Sequence, residues 1–180
     1  VPVSVLTYAD DPSFVVFTPR AWWTLDAEGR VLFGYPGAYE IEVHDPDGTL
    51  LRRIRREYDP VKVSREERAD LTERTRKVLG PEAAAEMSFA EEHSAFRSFF
   101  TDDEGRLFVQ TWERTGDGEG DIHDVFDAEG RFIGRVPMPV HPDFQAPTPR
   151  VMRGGKLYAI EPDEEGYEVV KRYSVTWKVK

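Results

Sequence analysis

The sequence predicts an all-β chain of antiparallel, four-stranded sheets with one short helical interruption, and three observations predict it. A turn phrase, Asp-x-x-Gly followed by a polar residue, occurs at 26–29, 45–48, 102–105 and 127–130. Each copy lies between aromatic or β-branched runs, the composition that suits a pleated, half-buried strand. The copies also come in pairs, which sorts the strands into groups of four.

The first hairpin joins Ala21-Trp22-Trp23-Thr24-Leu25 to Val31-Leu32-Phe33 across Asp26-Ala27-Glu28-Gly29. A short hairpin needs positive φ near its end, which glycine adopts at little cost. The leading aspartate can accept N–H groups inside the turn. A loop at 35–38 leads to a strand at 39–44, and the second turn returns through 50–54. In Arg52-Arg53-Ile54-Arg55-Arg56 the alternation around Ile54 reads as an exposed strand face. The second group repeats the plan, with strands at 96–101, 106–112, 122–126 and 131–136 and a Gly-rich loop at 115–120. A third group has three strands, at 150–153, 156–160 and 167–175, with Gly154-Gly155 at its first turn. Residues 3–7 and 14–18 read as strand fragments.

One segment departs from the β pattern. Ser64-Arg65-Glu66-Glu67 is a capping box, Asp70/Arg74 and Glu73/Lys77 are favourable pairs at i,i+4, and Gly80-Pro81 ends one helix and starts another. Its apolar residues, chiefly Leu71, Val78 and Leu79, predict a surface helix resting on a narrow stripe.

Four-stranded units repeated in order are the blades of a β-propeller, whose closed rings have four to eight blades. The chain divides accordingly: 1–19 as the remnant of a preceding blade, 20–57 as a blade, 58–95 as a helical insertion, 96–137 as a blade and 149–177 as a last, three-stranded blade. The ring is incomplete. Its open edges predict association through residues 3–7 or 167–175, with the missing propeller half, a second copy or a partner chain closing the ring.

Residues from about Pro12 to Trp177 resemble the C-terminal half of bacterial six-bladed β-propeller proteins related to the NHL-repeat group. The resemblance rests on Phe17-Thr18-Pro19 leading to Leu25-Asp26-Ala27-Glu28-Gly29-Arg30, on Tyr39-Glu40-Ile41-Glu42-Val43, and on the helical insertion after Arg56. It continues through Asp103-Glu104-Gly105-Arg106-Leu107-Phe108-Val109 and is strongest from Val125 to Val136. It implies binding of proteins, peptides or carbohydrates, and an extracytoplasmic place, periplasmic or lipoprotein-anchored. Related six-bladed folds include calcium-dependent lactonases and lyases. The chain begins with Val1 and not methionine, and the incomplete ring reads either as a piece of a longer protein or as one that two copies or a second chain complete.

Among 180 residues, 39% are apolar and 32% charged, with a formal charge of −10. That charge argues against nucleic acid, whose phosphates would be repelled. There is no cysteine, which excludes disulfides and thiolate metal sites, and no transmembrane or signal segment. His44, His93, His123 and His141 lack metal-ligand spacing and read as exposed or half-buried strand residues. No serine lies in a nucleophile elbow. Asp117, Glu119 and Asp121 offer oxygen ligands of the kind calcium prefers, but not at the EF-hand spacing, so no cofactor is expected. Gln110 and Gln145 are the only side-chain amides, which weakens the alternative of a metal-dependent propeller hydrolase or lyase, lactonase-like. The expected function is a non-catalytic binding or scaffold module. Arg20, Arg97 and Arg150, at the start of the three first strands, fall near one rim with Trp22, Tyr35 and Trp112 beside them. A ring of guanidinium groups suits a carboxylate or an acidic peptide. The competing reading is that these arginines bridge neighbouring blades through Asp or Glu.

Overall fold

A computed structural model of the chain describes residues 15–116, 120–139 and 150–176. The strand expected at 3–7, the ligand candidates Asp117 and Glu119, His141, Gln145 and Trp177 lie outside the described residues. In chain order the strands are β1 (Val15–Val16), β2 (Trp22–Leu25), β3 (Val31–Gly34), β4 (Glu40–His44), β5 (Leu50–Arg55), β6 (Ser88–Phe89), β7 (Ser98–Thr101), β8 (Leu107–Arg114), β9 (Gly120–Phe126), β10 (Phe132–Pro139), β11 (Arg150–Arg153), β12 (Lys156–Pro162) and β13 (Glu168–Ser174). Helices α1 (Arg65–Leu79) and α2 (Pro81–Ala85) lie between β5 and β6. The chain is mostly β and forms two compact units: Pro19–Asp59 with Ser94–Lys180, and Val1–Thr18 with Pro60–His93.

The larger unit holds three antiparallel sheets, in the orders β2-β3-β4-β5, β7-β8-β9-β10 and β11-β12-β13. The turn phrase works as its chemistry predicts. Asp26 Oδ1 accepts the N–H groups of Glu28 (3.0 Å) and Arg30 (2.9 Å), and Gly29 closes the turn at φ 78°. Asp102 and Asp127 repeat the arrangement, and Asp163 supplies a fifth copy with Glu165 and Tyr167. In the two four-stranded sheets these turns sit at one end, and the β3–β4 and β8–β9 connections sit at the other.

Burial shows how the sheets pack. β4 alternates half-buried and buried residues, as a strand covered on one face does. β8 and β9 are buried on both faces over most of their length, so the β7–β10 sheet lies between the other two. Leu32, Tyr39, Ile41, Val43 and Ile54 meet Phe96, Phe99, Leu107, Val109 and Phe126 on one side of it. Phe108, Val125 and Met138 meet Met152 and Leu157 on the other. The exposed strand face expected on β5 holds for part of its arginines. Arg53 and Arg55 are exposed, but Ile54 is buried, Arg52 donates to the Ala128 carbonyl (2.7 Å) and Arg56 pairs with the buried Asp124. The central sheet covers that side of the strand.

In the smaller unit β1 pairs in parallel with β6. Ser64 Oγ accepts from the Glu67 N–H (3.1 Å), and the Glu67 carboxylate accepts from the Ser64 N–H (2.8 Å), completing the capping box of α1. The expected apolar stripe is shorter than its sequence. Leu71 is buried, whereas Val78 and Leu79 are 80% and 71% exposed, because the last turn of α1 is uncovered. His93, expected as an exposed or half-buried strand residue, is instead buried against Phe17 and Glu67 and follows β6 outside any strand. No described helix is long and apolar enough to cross a membrane.

Candidate functional site

One group of buried, mutually bonded polar side chains in the larger unit, Ser98, Gln110, Asp121 and His123, gathers toward the end of the sheets opposite the Asp-x-x-Gly turns. Strand periodicity brings them together. In the register of the central sheet Ser98 faces Gln110 and Gln110 faces His123, so the three side chains share the face that looks toward β11–β13. Asp121 lies two residues before His123 and shares that face. Ser98 Oγ donates to Gln110 Oε1 (2.8 Å), and Gln110 in turn donates to Asp121 Oδ2. Arg97, whose N–H is fixed on the Gln110 carbonyl (2.8 Å), sends its guanidinium to the same Asp121 oxygen (3.2 Å) and lies over the Trp112 ring at 4.9 Å. The Trp112 indole donates to Ser94 Oγ (3.2 Å). The approach to β7 is held by the Ala95 N–H on the carbonyl of the buried Pro36 (2.8 Å).

Arg150, the first residue of β11, crosses from the third sheet to this group and places Nη1 2.8 Å from His123 Nε2. A guanidinium can only donate, so His123 Nε2 accepts and Nδ1 carries the proton, which it gives to the Asp121 carbonyl at 3.2 Å. The ring is therefore neutral. Burial, then the charge of Arg150, pushes the His123 pKa down to about 3. Burial also pulls Arg150 below its usual value, and Arg97 adds to that, while Asp121 and Glu161 oppose it. Two guanidinium groups are thus held within each other's field, with one carboxylate, Asp121, bonded to the first of them. Glu161, on β12, accepts from Tyr173 Oη (2.7 Å) and pairs with Lys171 Nζ (3.3 Å). Burial and this bond push the Tyr173 phenol up to about 12.

The opposite face of the central sheet carries a second polar cluster. Asp124, 1% exposed in its side chain, accepts from Tyr39 Oη (2.7 Å), Arg56 and Arg135 Nε (3.1 Å). Burial, then the carboxylate beside it, holds the Tyr39 phenol well above its ordinary range. Both Asp124 oxygens are taken, so this cluster ties two sheets together and offers no site. A cleft at the turn end, between Asp26, Arg30, Leu32, Val43, Arg52 and Ile54, has its cations committed: Arg30 to Asp26 (2.6 Å) and Arg52 to the Ala128 carbonyl.

Of the six expected rim residues, Arg97, Arg150 and Trp112 belong to one connected group. Tyr35 is exposed on the β3–β4 connection, and Arg20 is exposed ahead of β2. Trp22 is half-buried against the core and gives its indole N–H to the Phe99 carbonyl (2.8 Å), a role in packing the first sheet on the second. The described contacts differ from the alternative in which these arginines bridge neighbouring blades through Asp or Glu. Arg97 is paired with an aspartate of its own sheet, and Arg150 reaches a histidine of the neighbouring one. The expectation for His123 is corrected: it is fully buried, because the third sheet closes over its face. Asp121, weighed as a calcium ligand, has Arg97 and Gln110 on its carboxylate, and among the described residues no three His, Asp or Glu side chains are grouped to hold a metal. Sequence reasoning missed Glu161, Tyr173 and the Asp124 cluster. The signal available for Asp124 was a charged residue inside the apolar run Ile122–Phe126.

No family model matches the sequence. No curated protein matches it. Among solved structures the chain is similar to a protein of unknown function from Bacteroides caccae, with 15% identity and a TM-score of 0.37, over 84% of this chain and 44% of that one. The chain spans less than half the length of that protein.

Proposed function

We propose that the chain is part of a six-bladed β-propeller similar to the NHL-repeat group, exported from the cytoplasm, and that it serves as a non-catalytic binding module for a carboxylate-bearing ligand. The observation that carries the binding reading is the meeting of Arg97 and Arg150, the residues at the start of β7 and β11, over Asp121 and the neutral His123. Two half-buried guanidinium groups converge there beside Asp121 and Glu161, and the planar donor fork of each suits a ligand carboxylate. The propeller reading is supported by the first strands of the three sheets, which lie side by side. Trp22 on β2 bonds to Phe99 on β7, and Asp102, at the end of β7, bridges in parallel to Met152 on β11. Successive blades bring their first strands together in this way around a central channel. The outer faces of the end sheets, with Trp23 64% and Val170 69% exposed, are where further sheets of the ring would pack.

The binding reading is tested by calorimetric titration of the chain with propionate at neutral pH, with the His123 ring resonances followed in parallel. Propionate is expected to bind and to move those resonances. Arg97→Ala and Arg150→Ala are each expected to weaken binding at least tenfold. Unchanged affinity in both folded variants, or no binding to the unaltered chain, overturns the reading.

A further inference from the structure

Glu161 carries an oxygen that the protein leaves unbonded. The residue is 8% exposed, and its Oε2 is engaged by Tyr173 and Lys171, but Oε1 is buried with no hydrogen-bond partner. Buried carboxylate oxygens in folded proteins almost always have a donor, so an orphaned one needs an explanation. Its position supplies one. Arg150 is opposite Ala159 in the ladder, and Glu161 lies two residues further along the same strand. Alternate residues of a strand share a face, so Arg150 and Glu161 are diagonal neighbours on the face toward the central sheet, a relation that puts Cα atoms about 7–8 Å apart. Arg150 also feels the Glu161 charge. The end of the sheets where two guanidinium groups converge therefore also presents an acidic oxygen lacking a donor.

We propose that Glu161 Oε1 accepts the ammonium group of a ligand whose carboxylate is held by Arg97 and Arg150, so that the site takes a small zwitterion of the α-amino-acid type. This rests on the carboxylate-binding reading above and adds the cationic end of the ligand. An ammonium group supplies three donors in a compact charge, which fits one unpaired carboxylate oxygen in a buried setting.

Glycine and propionate make the test, because they match in size and differ in an ammonium in place of a methyl group. Titrated into the chain at pH 7, glycine is expected to bind at least tenfold more tightly than propionate. Glu161→Gln is expected to abolish that preference without weakening propionate binding, since it removes a negative charge beside Arg150. Should Glu161→Gln unfold the chain, Glu161→Asp, which withdraws the carboxylate by one methylene, replaces it with the same expected loss. Equal binding of the two probes overturns the inference, assigns the Glu161 oxygen to a water molecule and leaves the carboxylate reading standing. A glycine preference that survives both variants removes Glu161 from the site. Binding of neither probe overturns both readings together.

Discussion

His123 shows how a single ring records its surroundings. It is fully buried, accepts from Arg150, donates to the Asp121 carbonyl, and is neutral in the folded chain. Its pKa is pushed down to about 3 from 6.5, by burial first and Arg150 second. A depressed base favours folding only while the unfolded ring is also neutral. Its full contribution is therefore present above pH 6.5 and is lost as pH falls toward 3. With about 1.4 kcal/mol per pH unit, stability at pH 5 should be roughly 2 kcal/mol below that at pH 7 from this residue alone. Urea midpoints measured from pH 7 to 5 check this: His123→Gln should flatten the decline relative to the unaltered chain. Parallel slopes for the two proteins would exclude a depressed histidine. Nothing near His123 in the sequence announces its burial, since Asp121 and Asp124 flank it and its partners include Phe100 and Arg150, on strands distant in the chain.

The elements were more legible. Each hairpin rests on one side chain and one backbone angle within five residues, so the phrase specifies its turn wherever it occurs. The same locality made the capping box of α1 readable, while the uncovered last turn of that helix depends on what packs there, which no local pattern encodes. Two glycines separate local from tertiary demand. Gly48 has φ 92° with open space where a side chain would go, and Gly130 has φ 84° with Ile54 Cγ1 only 2.8 Å from that position. Gly48→Ala should cost about 1 kcal/mol, the ordinary strain of the left-handed region. Gly130→Ala should cost about 1–2 kcal/mol more, because Ile54 belongs to the packed core between two sheets. Denaturant unfolding of both variants decides it, and equal costs would mean that Ile54 yields without penalty.

For the whole molecule, strand grouping was readable from paired turns, and the order of the sheets follows from the run of apolar residues on β8 and β9. The convergence of Arg97 and Arg150 was partly readable, since both precede first strands. Glu161 was not, because its role arises from the register between β11 and β12. The end sheets present Trp23, Leu25 and Phe33 on one side and Val151, Tyr158 and Val170 on the other. If these are faces of a ring, the 180-residue chain alone should associate. Sedimentation should show species larger than a monomer, and Trp23→Asp with Val170→Asp should shift them toward monomer. A single monomeric species across the micromolar range would count against ring closure.

The burial of the central sheet on both faces has a consequence for the order in which the fold comes apart. Among the described residues the third sheet packs on the central sheet, whereas β8 and β9 are held from two sides. The third sheet can therefore lift away in a local opening that leaves the first and central sheets joined through Asp124. That opening takes Arg150 and Glu161 with it, floods His123 with water and dissolves the site while most of the core stays intact. A bound zwitterion spanning both sheets would act as their clasp, so occupancy of the site and closure of the third sheet become one equilibrium.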